Sequence, residues 1–203
     1  MSEVATIAQA TDEEVLRAQF WGLLAALLSA PPSADILAIL TGIEGDDSEM
    51  GRALGALAQA ARDADPAGLE EEFTDLFIGL SRGELVPFGS YYLTGFLHEK
   101  PLAALRDDLA RLGLEIEDGV SEPEDHIAIL CEIMQTLIDG SLGETASLIE
   151  QKRFFAAHIE TWAGRFFTDL ENCPAARFYR PVGALGRQFL AVEAEAFAMI
   201  PCS

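Results

Sequence analysis

Apolar residues recur along this chain at three- and four-residue steps, the period of one face of an α-helix, almost from end to end. Val15, Phe20, Leu23, Leu24, Leu27 and Leu28 follow Thr11-Asp12-Glu13-Glu14, which has capping-box spacing, and Pro31-Pro32 stops that helix. Ser33 predicts the cap of a short helix carrying Ile36, Leu37 and Leu40. A polar link from Gly42 to Asp47 precedes an Ala- and Leu-rich helix over Glu49 to Arg62. Pro66 opens the next, with Leu69, Phe73, Leu76 and Phe77 on one face. Pro101 starts another through Leu102, Leu105, Leu109 and Leu112, and Gly113 is its stop. After an acidic loop, Glu115 to Gly119, the pattern predicts a helix over Ser121 to Leu137. A long one follows from Leu142 to Asp169, marked by Ile149, Phe155, Ile159, Trp162 and Phe166. Cys173-Pro174 breaks it, and a last helix is expected from Pro174 to Met199. No stretch sustains strand alternation, so the pattern predicts an all-α bundle of about eight or more helices, one domain over residues 1–203.

Periodicity fails in one internal place. From Ser81 to Tyr92 it gives way to Gly, Pro and Ser, the longest irregular segment inside the core of the chain. Ordinary turns and bundle plugs account for such residues, and so does a partly exposed apolar patch built from Pro87, Phe88 and Tyr92 for an incoming chain.

Charge changes the picture next. The sequence carries 34 acidic and 13 basic residues, a net −21. Such a surface repels phosphate backbones, which excludes nucleic acid as a natural partner and favours a cationic one. Cys131, Cys173 and Cys202 are odd in number and widely spaced, unlike a disulfide framework or zinc finger. The first residues carry no basic n-region, and the longest greasy run, Phe20 to Leu28, falls far short of the ~20 residues of a membrane span. The expectation is a cytoplasmic protein that does not insert into membranes.

Catalytic apparatus is missing from the pattern. There is no phosphate loop, dinucleotide fingerprint, His-Glu-x-x-His or Gly-x-Ser-x-Gly elbow. None of His98, His126 or His158 has the Glu three positions earlier that a di-iron bundle requires. No catalytic residue, metal ligand or cofactor is nominated. Ser121-Glu122-Pro123-Glu124 has the form of a capping box, and Asp125 and His126 follow it. Those two side chains can hydrogen-bond a bound peptide, while His126 equally suits a core position bonded to a carbonyl. The acid runs Glu70-Glu71-Glu72 and Asp107-Asp108 read as solvated helix faces, and Trp162, Phe154-Phe155 and Phe166-Phe167 as core.

Phe73-Thr74-Asp75-Leu76-Phe77-Ile78-Gly79, the Pro87-Phe88-Gly89-Ser90 loop and Glu122-Pro123-Glu124-Asp125-His126 together resemble the signature of the TorD/DmsD/NarJ superfamily. The helix containing Gln151, Phe154, Phe155, His158 and Trp162 is similar to that family as well, and the likeness runs from about Phe20 to Val192. The resemblance implies a cytoplasmic chaperone, not an enzyme. Its partners would be the twin-arginine signal peptide and apo form of a molybdenum-cofactor oxidoreductase, and it would aid cofactor insertion and delay export. Carried over position by position, the peptide-binding residues are Leu76, Phe77, Pro87, Phe88, Tyr92, Asp125 and His126, with Asp125 the arginine's partner. Two departures bear on client choice: Phe88 stands where the family often has Trp, and Val86 where many members have a second Pro.

Rival readings remain. One is a NarJ-like chaperone acting mainly on the mature client body. Another is a helical metal-dependent enzyme. A third, a purely structural acidic bundle, expects Pro87, Phe88 and His126 to be buried and insensitive to peptides. The irregular loops leave room for a domain-swapped homodimer.

Overall fold

The computed structural model describes residues 2–79, 83–114, 122–141 and 145–201, with side chains from residue 12 onward. The described residues contain ten α-helices and one π-helical turn. The all-α expectation holds. Among those residues no helix is long and apolar enough to cross a membrane.

Helix α1 spans Ser2–Ser29, so Thr11 lies inside it and does not start it; the Thr11 side chain is outside the described residues. Helix α2 is Ala34–Thr41, with the Ser33 side chain accepting from the Ile36 N–H at 3.3 Å as expected. Helix α3 is Glu49–Arg62, capped by Ser48, and α4 is Pro66–Phe73, capped by Asp65 with Pro66 in its first turn. Thr74–Ile78 then widens into the π turn.

A six-residue helix, α5 (Gly89–Thr94), begins inside the segment Ser81 to Tyr92 that was expected to be irregular and runs two residues past it. Helix α6 is Lys100–Leu112, ended by Gly113 at φ 69°, a backbone conformation that costs glycine nothing. Helix α7 is Ile127–Asp139, not Ser121 to Leu137; Ser121 and the acidic loop Glu115 to Gly119 are outside the described residues. The Glu124 carboxylate serves no helix start. It takes both the Nε and Nη2 donors of Arg106 at 2.8 and 2.7 Å.

The long helix expected from Leu142 to Asp169 is two: α8, Leu148–His158, and α9, Ala163–Asn172. Leu142 itself is outside the described residues, and a Ser147/Glu150 capping box starts α8. The break has a local cause. The Trp162 indole N–H donates to the His158 carbonyl at 2.7 Å, capping the end of α8 where a helix would use a backbone N–H. Helix α10 is Tyr179–Ala198, five residues later than expected from Pro174. Its N-terminus is capped from afar: Glu72 accepts from the backbone N–H groups of Arg177, Phe178 and Tyr179 at 2.7, 3.1 and 2.9 Å. Glu72 is therefore no solvated acid, and α4 is fastened to α10 through the positive end of the latter's dipole.

Helix α1 lies against α7 and α10, α10 against α9 and α3, and α8 joins α7 and α6. At Gly186 a Cβ would come within 2.2 Å of the Phe167 ring, so glycine is what lets α9 and α10 approach. One continuous apolar core runs through these contacts, from Trp21 and Leu24 to Phe166 and Leu185. A buried ion pair sits in it: Arg17 grips Glu193 with two bonds of 2.7 and 2.8 Å, and the Trp21 indole N–H donates to the same carboxylate at 3.1 Å.

Candidate functional site

Two short extended pieces meet across the molecule and build the site. The Ile127 N–H donates to the Pro87 carbonyl and the Gly89 N–H to the Asp125 carbonyl, both at 2.9 Å. Phe88 and His126 are thereby directly opposed as an antiparallel bridge pair of the kind that is not itself hydrogen-bonded, where side chains stand closest. Their rings meet edge to face with centroids 5.0 Å apart. The Pro123 carbonyl accepts from the His126 N–H at 3.0 Å, turning the Glu122 to Asp125 segment into this pairing.

On one side of the bridge is a groove of ≈ 550 Å³. Phe77, Ile78, Pro87 and Phe88 form one wall, α7 and its N-cap contribute His126, Ile129, Glu132 and Gln135, and small residues of α1 (Gly22, Ala25, Ala26) complete it. The π turn sets the first wall. It places Leu76 in the core, fully buried, while Phe77 is half-buried and Ile78 is 59% exposed. Carbonyls that the wider turn leaves free are taken up by the returning chain, Glu84 N–H to Asp75 O and Leu85 N–H to Leu76 O. Glu122 and Glu132 are the charged side chains on the lining, both acidic and exposed.

His126 is the N-cap of α7, its Nδ1 accepting from the Ala128 N–H at 3.2 Å. That bond requires the neutral ring with its proton on Nε2. Burial pushes the imidazole down to about 4, against a smaller upward pull from Asp125. The groove therefore presents a neutral histidine and two carboxylates at neutral pH.

The structure thus gathers Phe77, Pro87, Phe88 and His126 on one groove and leaves three nominated residues elsewhere. Leu76 lies beneath the groove. Asp125 is 3% exposed, and its Oδ2 accepts from the Ser90 N–H at 2.6 Å on the far side of the bridge. Tyr92 faces another depression, where its hydroxyl donates to Asp169 at 2.9 Å and burial, then that bond, push its ionisation upward. Pro87 and His126 are buried residues yet line the groove, and Phe88 is half-buried. Glu132 was not singled out from the sequence, although it is the one charge within α7 before the terminal Asp139. A lone acid in an apolar helix was the signal that could have found it. Among the described residues no group of three or more His, Cys, Asp or Glu comes together as for a metal ion.

The described residues thus form a ten-helix bundle with a largely apolar groove whose lining carries two exposed acids. The model of the nitrate reductase delta subunit family matches residues 43–168, and the chain belongs to that family, the TorD/NarJ group its motifs resemble. It is 29% identical over 170 residues to the chaperone protein TorD of Vibrio cholerae serotype O1 (strain O395), covering 78% of this chain and 77% of that one. To TorD of Vibrio atlanticus it is 27% identical over 180 residues, covering 82% and 83%. Its fold is shared with a crystallised protein from Archaeoglobus fulgidus described as a redox enzyme maturation protein. The TM-score is 0.56 at 20% identity, over 86% of this chain and 93% of that one.

Proposed function

We propose that this protein is a cytoplasmic maturation chaperone for a molybdenum-cofactor oxidoreductase, and that its groove holds the client's twin-arginine signal segment. One observation carries the reading: the groove is apolar along its walls, and the charges lining it are Glu122 and Glu132. A twin-arginine signal pairs two adjacent arginines with an apolar stretch. The stretch lies against Phe77, Ile78 and Phe88, and the guanidinium groups take the Glu122 and Glu132 carboxylates, where bidentate geometry is available. Net charge −21 steers such a cationic segment inward. Occupancy shields the signal and delays export until the client is loaded.

Titration calorimetry tests this with twin-arginine signal peptides and their Lys-Lys versions at two salt concentrations. Saturable binding is expected, weaker with Lys-Lys and at high salt. Glu132→Gln should weaken it a few-fold, in keeping with an exposed pair of about 1 kcal/mol. Folded protein that binds no signal peptide, or binds both versions alike, overturns the reading and directs the search to the mature client body.

A further inference from the structure

The far end of the groove carries a polar group that an apolar stretch has no side chain to meet. Helix α7 presents Ile129, Glu132 and Gln135 to the groove at three-residue steps. Gln135 stands about 14 Å from His126 along the helix, at 1.5 Å per residue. It is half-buried, and among the described residues its carboxamide has no hydrogen-bond partner.

The carboxamide is seated by the neighbouring helix. A Cβ on Gly22 of α1 would lie 2.5 Å from Gln135 Oε1, 2.8 Å from Cδ and 3.0 Å from Nε2, so the amide fills the space a side chain there would take. Gly22 is the one glycine of α1, and inside a helix glycine is a weaker residue than alanine. The chain carries that weakness at the point where Gln135 needs room. Both residues line the groove.

We infer that Gln135 is a specificity-determining residue of the groove: its carboxamide hydrogen-bonds the main chain of the bound segment, which is held extended there and not as a helix. The inference rests on the signal-binding reading above. Two properties of the group point this way. A carboxamide sets N–H donors beside a carbonyl acceptor, the complement of the N–H and C=O that one residue of an extended strand offers on the same side. An apolar stretch has only main-chain groups to offer, and inside an α-helix those are spent on each other. The span from His126 to Gln135 takes about four residues in extended form at ~3.3 Å each. The groove therefore selects backbone form at one register, where proline supplies no N–H.

Calorimetry tests this with a twin-arginine signal peptide and a set of its variants, each with one main-chain amide of the apolar stretch replaced by an ester. An ester removes an N–H and weakens a carbonyl without changing any side chain. In the parent protein one ester, or two at neighbouring links, should weaken binding about fivefold, the scale of one hydrogen bond, and the others should bind as the unmodified peptide does. Gln135→Leu should erase the difference between the unmodified peptide and the sensitive ester. Gly22→Ala, which drives the carboxamide from its seat, should do the same while favouring the helix. Esters that all weaken binding, by amounts unchanged in Gln135→Leu, indicate a helical segment and overturn the inference while the signal-binding reading stands. A sensitive ester that stays equally sensitive in both variants overturns it too, and so does a set without a sensitive member. An unmodified peptide that does not bind the parent protein removes the signal-binding reading itself, and this inference with it.

Discussion

Glu193 and Asp125 are both buried carboxylates, 1% and 3% exposed, yet the molecule treats them oppositely. Glu193 sits at the α1–α10 seam with both oxygens occupied, three charge-assisted or indole donors converging on it. Asp125 sits at the junction of α5 and α7 with one oxygen bonded and one idle. A fully partnered buried charge fixes how two helices meet. A half-partnered one leaves an acceptor idle where two elements meet.

The largest expected effect breaks the satisfied side. Arg17→Met strands the Glu193 charge in the core and should cost about 3–5 kcal/mol in denaturant unfolding. Adding Glu193→Leu should recover much of that loss, the remainder reflecting the Trp21 N–H left without an acceptor. A double variant no more stable than Arg17→Met would mean the seam is held by something other than charge pairing.

Next comes pH, acting through His126 at the other junction. Unfolded, this histidine takes its proton near its ordinary value of 6.5; folded, it does so only near 4. Its contribution is therefore complete above about pH 6.5 and is lost as pH falls towards about 4, a span of about 3 kcal/mol. Urea midpoints at pH 7 and pH 4.5 should differ more for the parent than for His126→Asn, which can still cap α7 but does not titrate.

Phe88→Ala should weaken signal-peptide affinity about tenfold, the scale of losing one aromatic anchor. The smallest effect is expected at the idle carboxylate. Asp125→Asn should alter unfolding free energy by no more than about 1 kcal/mol, because the amide oxygen can keep the Ser90 bond and a buried charge is removed. A loss of several kcal/mol would make Asp125 a structural clamp like Glu193.

The helix ends at Ser33 and Gly113 were legible, while the local caps Ser147 and His126 were passed over. Ser33 and Gly113 ended or began theirs as expected because the partners of those bonds lie within a turn. The break at Trp162 was not legible. Ile159, Trp162 and Phe166 are all buried, so the apolar stripe continues through the turn, and the bond that ends α8 comes from an indole. The Glu72 cap on α10 comes from across the chain, which no local reading can supply. In the groove, the motif residues Phe77, Pro87, Phe88 and His126 came together, but Asp125 fell on the far side. Sequence order placed Asp125 beside His126; the extended backbone of the bridge sent consecutive side chains to opposite faces.

That alternation has a consequence for how the chain tolerates length changes. Between Pro87 and Gly89, and between Asp125 and Ile127, a single thickness of paired backbone separates two compartments. Phe88 and His126 face the groove, whereas Gly89 and Asp125 line the depression of ≈ 170 Å³ behind the bridge. One inserted residue on either side would turn Phe88 or His126 out of the groove and bring a neighbour in, exchanging the contents of both compartments at once. Substitutions here are local events, but an insertion is a frameshift in space.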